Sequence, residues 1–136
     1  MAARKVRYLV LKVPSRAGQA ARMLGALAEG GVNLLAFTGF PARGGQAQVD
    51  LVTDDLAAVR RVARKEGWRL SAAKRGFLVQ GSDRVGAVHA DLRRLADAGI
   101  NVTAADAVTA GKGRYGMILW VKPKDYARAA RALRAR

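Results

Sequence analysis

Two stretches decide the fold, SRAGQAARMLGALAEGGVNLLAF at residues 15–37 and DRVGAVHADLRRLADAGINVTAA at residues 83–105. A shift of 68 positions aligns them, and eight pairs of residues are then identical. The pairs are Arg16/Arg84, Gly18/Gly86, Leu24/Leu92, Leu27/Leu95, Ala28/Ala96, Gly31/Gly99, Asn33/Asn101 and Ala36/Ala104. This period is too long for a solenoid repeat and fits a small domain. The sequence therefore predicts a duplicated domain.

The first copy predicts the order strand, helix, strand, strand, helix, strand. Apolar and β-branched runs predict strands at residues 6–13, 32–40, 47–53 and 68–73. Apolar residues at three- and four-residue spacing predict two helices between them. We expect Ser15 to cap the first helix, Asp54 or Asp55 to cap the second, and glycines to end both.

The second copy repeats this order, with strands at residues 77–80, 100–109 and 114–122 and helices at 84–98 and about 125–136. It ends inside its last helix and supplies no fourth strand. The predicted fold class is α+β, with two ferredoxin-like βαββαβ units whose helices lie on antiparallel sheet. We predict domains at residues 1–74 and 75–136. We further expect residues 68–73 to pair with residues 77–80 in a hairpin and to join both copies in one sheet.

Composition limits the classes of function. The chain has no cysteine and a single histidine, His89, which excludes a cysteine or multi-histidine metal site. We expect His89 to be half-buried in helix packing. Residues 111–116 match G-x-G-x-x-G but stand between two strands, so a hairpin turn is predicted rather than a dinucleotide site. The carboxylates form no acid–base pair, and no catalytic constellation or cofactor is predicted.

The net charge of +15 leaves two interpretations open. Basic side chains cluster on the two later helices of the copies: Arg60, Arg61, Arg64 and Lys65, then Arg128, Arg131, Arg134 and Arg136. They are either solvated surface or contacts to the phosphates of a nucleic acid. No apolar stretch reaches the length of a membrane span, and no signal peptide is recognisable, so we expect a cytoplasmic protein.

The strand, glycine-containing loop, helix and Gly-Val/Ile-Asn entry to the next strand resemble the ACT domain. The pattern occurs as Ser15-Arg-Ala-Gly18 with Gly31-Val-Asn33, and again as Asp83-Arg-Val-Gly86 with Gly99-Ile-Asn101. The resemblance covers essentially the whole chain as a tandem pair. Where the family has an acidic residue followed by proline, this chain has Ser15 in the first copy and Ala17 and Val85 at the proline positions.

The resemblance implies a non-catalytic regulatory protein that binds an amino acid or similar carboxylate between paired copies, in a homodimer. The candidate ligand-binding residues are Ser15, Arg16, Ala17, Gly18 and Asn33, with Asp83, Arg84, Val85, Gly86 and Asn101. Physical chemistry supports a site, because free amides at a helix start favour an anion. A structural interpretation also stays open: the glycines allow tight turns, and the asparagines tolerate left-handed backbone. Alternatives to ligand binding are phosphate-backbone binding or ligand-free docking on another protein.

Overall fold

The computed structural model describes all residues 1–136 and divides the chain into two compact units. The first unit is Arg7–Lys74, and the second unit is Met1–Val6 together with Arg75–Arg136. That residues 1–74 and 75–136 are separate domains stays a prediction.

The first unit contains most of strand β1 (Ala2–Pro14), then α1 (Gln19–Glu29), β2 (Ala36–Pro41), β3 (Gln46–Val52) and α2 (Leu56–Glu66). Its strand order is β2-β3-β1, and both pairings are antiparallel. Buried side chains of β1 and β3, such as Leu9 and Leu51, form one hydrophobic cluster with Met23 and Leu27 of α1 and Val59 of α2.

The second unit contains β4 (Lys74–Ser82), α3 (Ala87–Asp97), β5 (Val102–Thr109), β6 (Arg114–Val121), a 3₁₀ turn (Pro123–Asp125) and α4 (Tyr126–Leu133). Its strand order is β1-β4-β6-β5. Phe77, Leu95, Leu119 and Leu133 lie at the centre of its core. The predicted α+β class with ferredoxin-like units is confirmed.

The repeat seen in the sequence is also a repeat in backbone geometry. Leu9 pairs with Leu51 in the first unit, and Phe77 pairs with Leu119 in the second, at the same 68-residue offset. The loop after each first strand is held alike, because the Ser15 and Asp83 amides each donate to a glycine carbonyl at 2.8 Å. Both copies therefore use one strand register and one loop conformation.

Helix starts differ in part from the prediction. Ser15 does not cap α1: the N-cap is Gly18, with φ +88°, and no side chain caps the helix. Gly86 takes the same role before α3, with φ +82°. Glycine fits both positions because a side chain disfavours this left-handed backbone. The expected acidic cap of α2 is confirmed, since the Ala58 amide donates to Asp55 Oδ1 at 3.0 Å.

The predicted hairpin between residues 68–73 and 77–80 is wrong. Residues 68–73 form no strand; the Ser71 amide donates to the Val10 carbonyl at 3.0 Å, and the Ser71 hydroxyl accepts from the Val10 amide at 2.9 Å. Because this hydroxyl occupies the Val10 amide, no regular ladder forms there.

Strand β1 instead stands next to β4 in the strand order. Its first residues belong to the second unit, where Ala3 joins the hydrophobic core. The Lys5 amide donates to the Arg136 carbonyl at 3.0 Å, and the Arg136 amide donates to the Ala3 carbonyl at 3.2 Å. The start of the chain therefore replaces the fourth strand that the second copy lacks.

Truncating either of the two repeat-related leucines should destabilise the chain to a similar degree. Leu27 is 1% exposed and Leu95 is 0% exposed. L27A and L95A are each expected to lower the free energy of unfolding by about 2–5 kcal/mol through lost burial and a residual cavity. Urea denaturation measures the effect, with V85A as a control because Val85 is fully exposed. A loss no larger than that of V85A would contradict the described cores.

Candidate functional site

The loop of residues 83–86, called here the 83–86 loop, joins the end of β4 to the start of α3. The Asp83 amide donates to Gly113, and the Ala87 amide donates to the Arg84 carbonyl at 3.1 Å. No side chain caps α3. The partial positive charge at this helix end is therefore not compensated by a capping side chain, which favours an anion there.

A surface cavity of about 320 Å³ lies beside the 83–86 loop. Three of the predicted residues, Asp83, Arg84 and Gly86, line it, and residues 107–109 at the end of β5 form another wall. His89 also lines the cavity and is exposed. The expectation that His89 is half-buried in packing is wrong, because its position on α3 turns away from the core stripe that contains Leu95.

Tyr115 and Asp91 are functional candidates that the sequence analysis did not find. Tyr115 lines the cavity from β6, and its hydroxyl donates a hydrogen bond to Oδ2 of Asp91 on α3. Both are buried, at 6% and 3% exposure. Burial, followed by the hydrogen bond to Asp91 and its charge, raises the pKa of Tyr115 to about 12, against a smaller opposing effect of Arg84 and Arg114. The available signal was an acid at a core-facing helical position, four residues before Leu95.

The equivalent loop of the first unit, the 15–18 loop, joins β1 to α1. Ser15, Arg16, Ala17 and Gly18 are all exposed there. This loop has the same backbone hydrogen bond and the same left-handed glycine as its counterpart. The two loops consequently share backbone geometry but not the side chains behind them.

Asn101 and Val85 do not line the cavity beside the 83–86 loop, and Asn33 belongs to the first unit. Asn33 and Asn101 are exposed and follow the opposite ends of α1 and α3, and an 11-residue helix is about 16 Å long. The left-handed backbone falls on Gly31 and Gly99, so the asparagines do not need it. Val85 is fully exposed and does not line the cavity.

Other motifs have structural explanations. The predicted turn lies between β5 and β6, where Gly111, Lys112 and Gly113 are left-handed, and residues 114–116 begin β6. No group of three or more His, Cys, Asp or Glu side chains is placed to hold a metal ion. None of the helices combines the length and apolar character needed to cross a membrane.

Comparison with solved structures shows the fold. Protein BT0572 from Bacteroides thetaiotaomicron aligns with 97% of this chain, and the alignment covers 88% of BT0572, at a TM-score of 0.79 and 14% identity. The ligand-free regulatory subunit of aspartate kinase from Thermus thermophilus aligns with 98% of this chain and with 93% of its own chain, at a TM-score of 0.63 and 18% identity. For the regulatory subunit of aspartate kinase from Thermus flavus, the alignment covers 98% of this chain and 95% of the subunit, at a TM-score of 0.58 and 19% identity. No protein-family model and no curated protein matches the sequence.

Fold and comparisons agree on one class of fold, an α+β protein of two ferredoxin-like units. The chain shares this fold with the regulatory subunits of aspartate kinase over nearly its whole length. The tandem ACT-like arrangement predicted from the sequence is thereby confirmed at the level of the fold.

Tyr115 should make stability fall at alkaline pH. Because folding raises its pKa from 10.0 to about 12, the unfolded chain loses this proton first. Its contribution is fully present below pH 10 and is lost as the pH rises through 12, by about 2–3 kcal/mol. Urea denaturation at rising pH should show a steeper loss for the wild type than for Y115F. Equal pH dependence of the two proteins would contradict the buried phenol.

Proposed function

We propose that this chain is a non-catalytic regulatory protein that binds an amino acid or a similar small carboxylate. The observation that carries the proposal is the cavity at the uncapped start of α3, beside Arg84. The partial positive charge at the start of α3 and the guanidinium of Arg84 both favour a negatively charged group there. A volume of about 320 Å³ has room for a small metabolite.

The recognition chemistry assigns a role to each part of the cavity. The carboxylate of the ligand would accept hydrogen bonds from the first-turn amides of α3 and pair with Arg84. Asp83, at the other side of the loop, offers an acceptor for an ammonium group. Such a set of donors and acceptors suits a zwitterion better than a neutral metabolite.

The wider assignment follows from the fold. The chain is similar to regulatory subunits of aspartate kinase, which supports a regulatory role without catalysis. We propose that it forms homodimers in the cytoplasm and alters the activity of a separate target on binding its ligand. Ser15, Arg16, Ala17, Gly18 and Asn33, with Val85 and Asn101, remain candidate ligand-binding residues from the sequence pattern.

Binding to a nucleic-acid backbone is the second candidate. Arg60, Arg61, Arg64 and Lys65 are exposed on α2, and the chain carries a net charge of +15. Exposed cations of this density attract phosphates by counterion release. A salt titration of random duplex binding separates this function from ligand regulation.

A thermal-shift screen of the proteinogenic L-amino acids tests the proposed function. A ligand at 100 times its Kd stabilises the native state by about 2.7 kcal/mol, which raises the Tm. Calorimetry with the amino acid found should then show about tenfold weaker binding for R84A, because a charge-assisted hydrogen bond is lost. R131A, an exposed arginine of α4, is the matched control. No Tm change with any amino acid, or equal affinities of R84A and R131A, would refute the proposal.

A further inference from the structure

Gly81, Tyr115 and Asp91 form a connected set from β4 to β6 to α3. Gly81 and Tyr115 are directly opposite each other in the β4–β6 ladder. A Cβ at Gly81 would lie 2.8 Å from Cε1 of the Tyr115 ring and 3.1 Å from its hydroxyl oxygen. The ring therefore packs on the bare backbone of Gly81, and any side chain at residue 81 would displace it.

The far end of the same ring is held by Asp91. A buried carboxylate is costly unless it is hydrogen-bonded, and the Tyr115 hydroxyl supplies such a bond. Gly81 thus fixes the place of the ring, and Asp91 fixes the direction of its hydroxyl. With both constraints, Tyr115 has one position at the cavity.

The first unit has none of these three residues. The positions 68 residues earlier are Val13, Met23 and Ala47. Val13 stands directly opposite Ala47 in the β1–β3 ladder, and Met23 is buried in the hydrophobic cluster of that unit. On the same backbone, the first unit therefore has a valine in place of the glycine, a methionine in place of the acid and an alanine in place of the tyrosine.

We propose that Tyr115, placed by Gly81 and Asp91, is the base of the ligand cavity and confines ligand binding to the 83–86 loop. The proposal rests on the proposed function and makes it more specific: one ligand per chain, none at the 15–18 loop. Tyr115 touches the ligand, whereas Asp91 is a positioning residue that acts through Tyr115.

An NMR titration locates the site. The ¹⁵N-labelled full chain is titrated with an equimolar mixture of the proteinogenic L-amino acids. Shift changes are expected at the amides of residues 83–89 and 107–109, and none at the equivalent amides of residues 15–21 or 39–40. The mapping uses the unmodified protein, so its outcome does not depend on any variant folding.

Exchanging the set tests its role. The variant G81V/D91M/Y115A gives the second unit the three side chains that occupy these positions in the first unit. It should bind the amino acid found in the thermal-shift screen at least about tenfold more weakly than the wild type does. Y126F is the matched control, because Tyr126 is another buried tyrosine of the same unit, whose hydroxyl donates to the Gly76 carbonyl at 2.9 Å. Its affinity should equal that of the wild type.

Asp91 is tested by a conservative rescue. D91N keeps an oxygen that accepts from the Tyr115 hydroxyl, so it should bind nearly as well as the wild type. D91L removes the acceptor and should weaken binding about tenfold, although the amide spectrum still shows a folded chain. Equal affinities of D91N and D91L would remove Asp91 from the proposal.

The outcomes distinguish a failure of the proposed confinement to the 83–86 loop from a failure of the proposed function. Shift changes of equal size at the 15–18 loop, or undiminished binding by the triple variant, would overturn the confinement and leave the proposed function standing. Shift changes nowhere would overturn both. If the triple variant does not fold, the wild-type map and the two Asp91 variants decide.

Discussion

Strand β1 is the element on which both units depend, because one continuous strand supplies core residues to each of them. Leu9 and Leu11 are buried in the first unit, while Ala3 is buried in the second. Two backbone hydrogen bonds tie Ala3 and Lys5 to Arg136, the last residue of the chain. The second unit therefore closes only when the two ends of the sequence meet. This constraint explains how a copy with three strands of its own can still have a complete core.

Duplication preserved the backbone while the side chains diverged. Both first helices begin at a left-handed glycine, both follow a loop held by a 2.8 Å amide–carbonyl bond, and both units use the same strand register. The positions behind the two loops differ in chemical character. Met23 is part of a purely hydrophobic cluster, whereas Asp91 accepts a hydrogen bond from Tyr115. The proposed restriction of ligand binding to one loop follows from this difference in side chains.

Much of the fold was predictable because the repeat and the hydrophobic periodicity are local properties of the sequence. Apart from the strand expected at residues 68–73, the order of helices and strands, the acidic cap of α2 and the turn before β6 needed no tertiary information. The strand predicted at residues 68–73 failed because its apolar pattern competes with a tertiary contact, the Ser71 hydroxyl bonded to the Val10 amide. Sequence alone also gave no sign that β1 begins at Ala2 and extends into the second unit.

The candidate site was predictable only where it is built from backbone. Gly18, Gly86 and the loops around them stand out by residue type and spacing. Tyr115 and Asp91 are 24 residues apart and meet only through the packing of α3 on β6, so no local pattern pairs them. The prediction that His89 is half-buried was wrong because His89 lies at the edge of the apolar stripe of α3. Helical spacing alone does not decide whether a side chain at that edge is buried or exposed.

Native-state hydrogen exchange of K5P tests most directly that the start of β1 completes the second unit. Proline removes the Lys5 amide that donates to Arg136, whereas the control K5A keeps it. The account predicts faster exchange in K5P at residues 77–79 and in α4, with β3 of the first unit as protected as in K5A. Equal exchange in K5P and K5A, or faster exchange confined to the first unit, would contradict it.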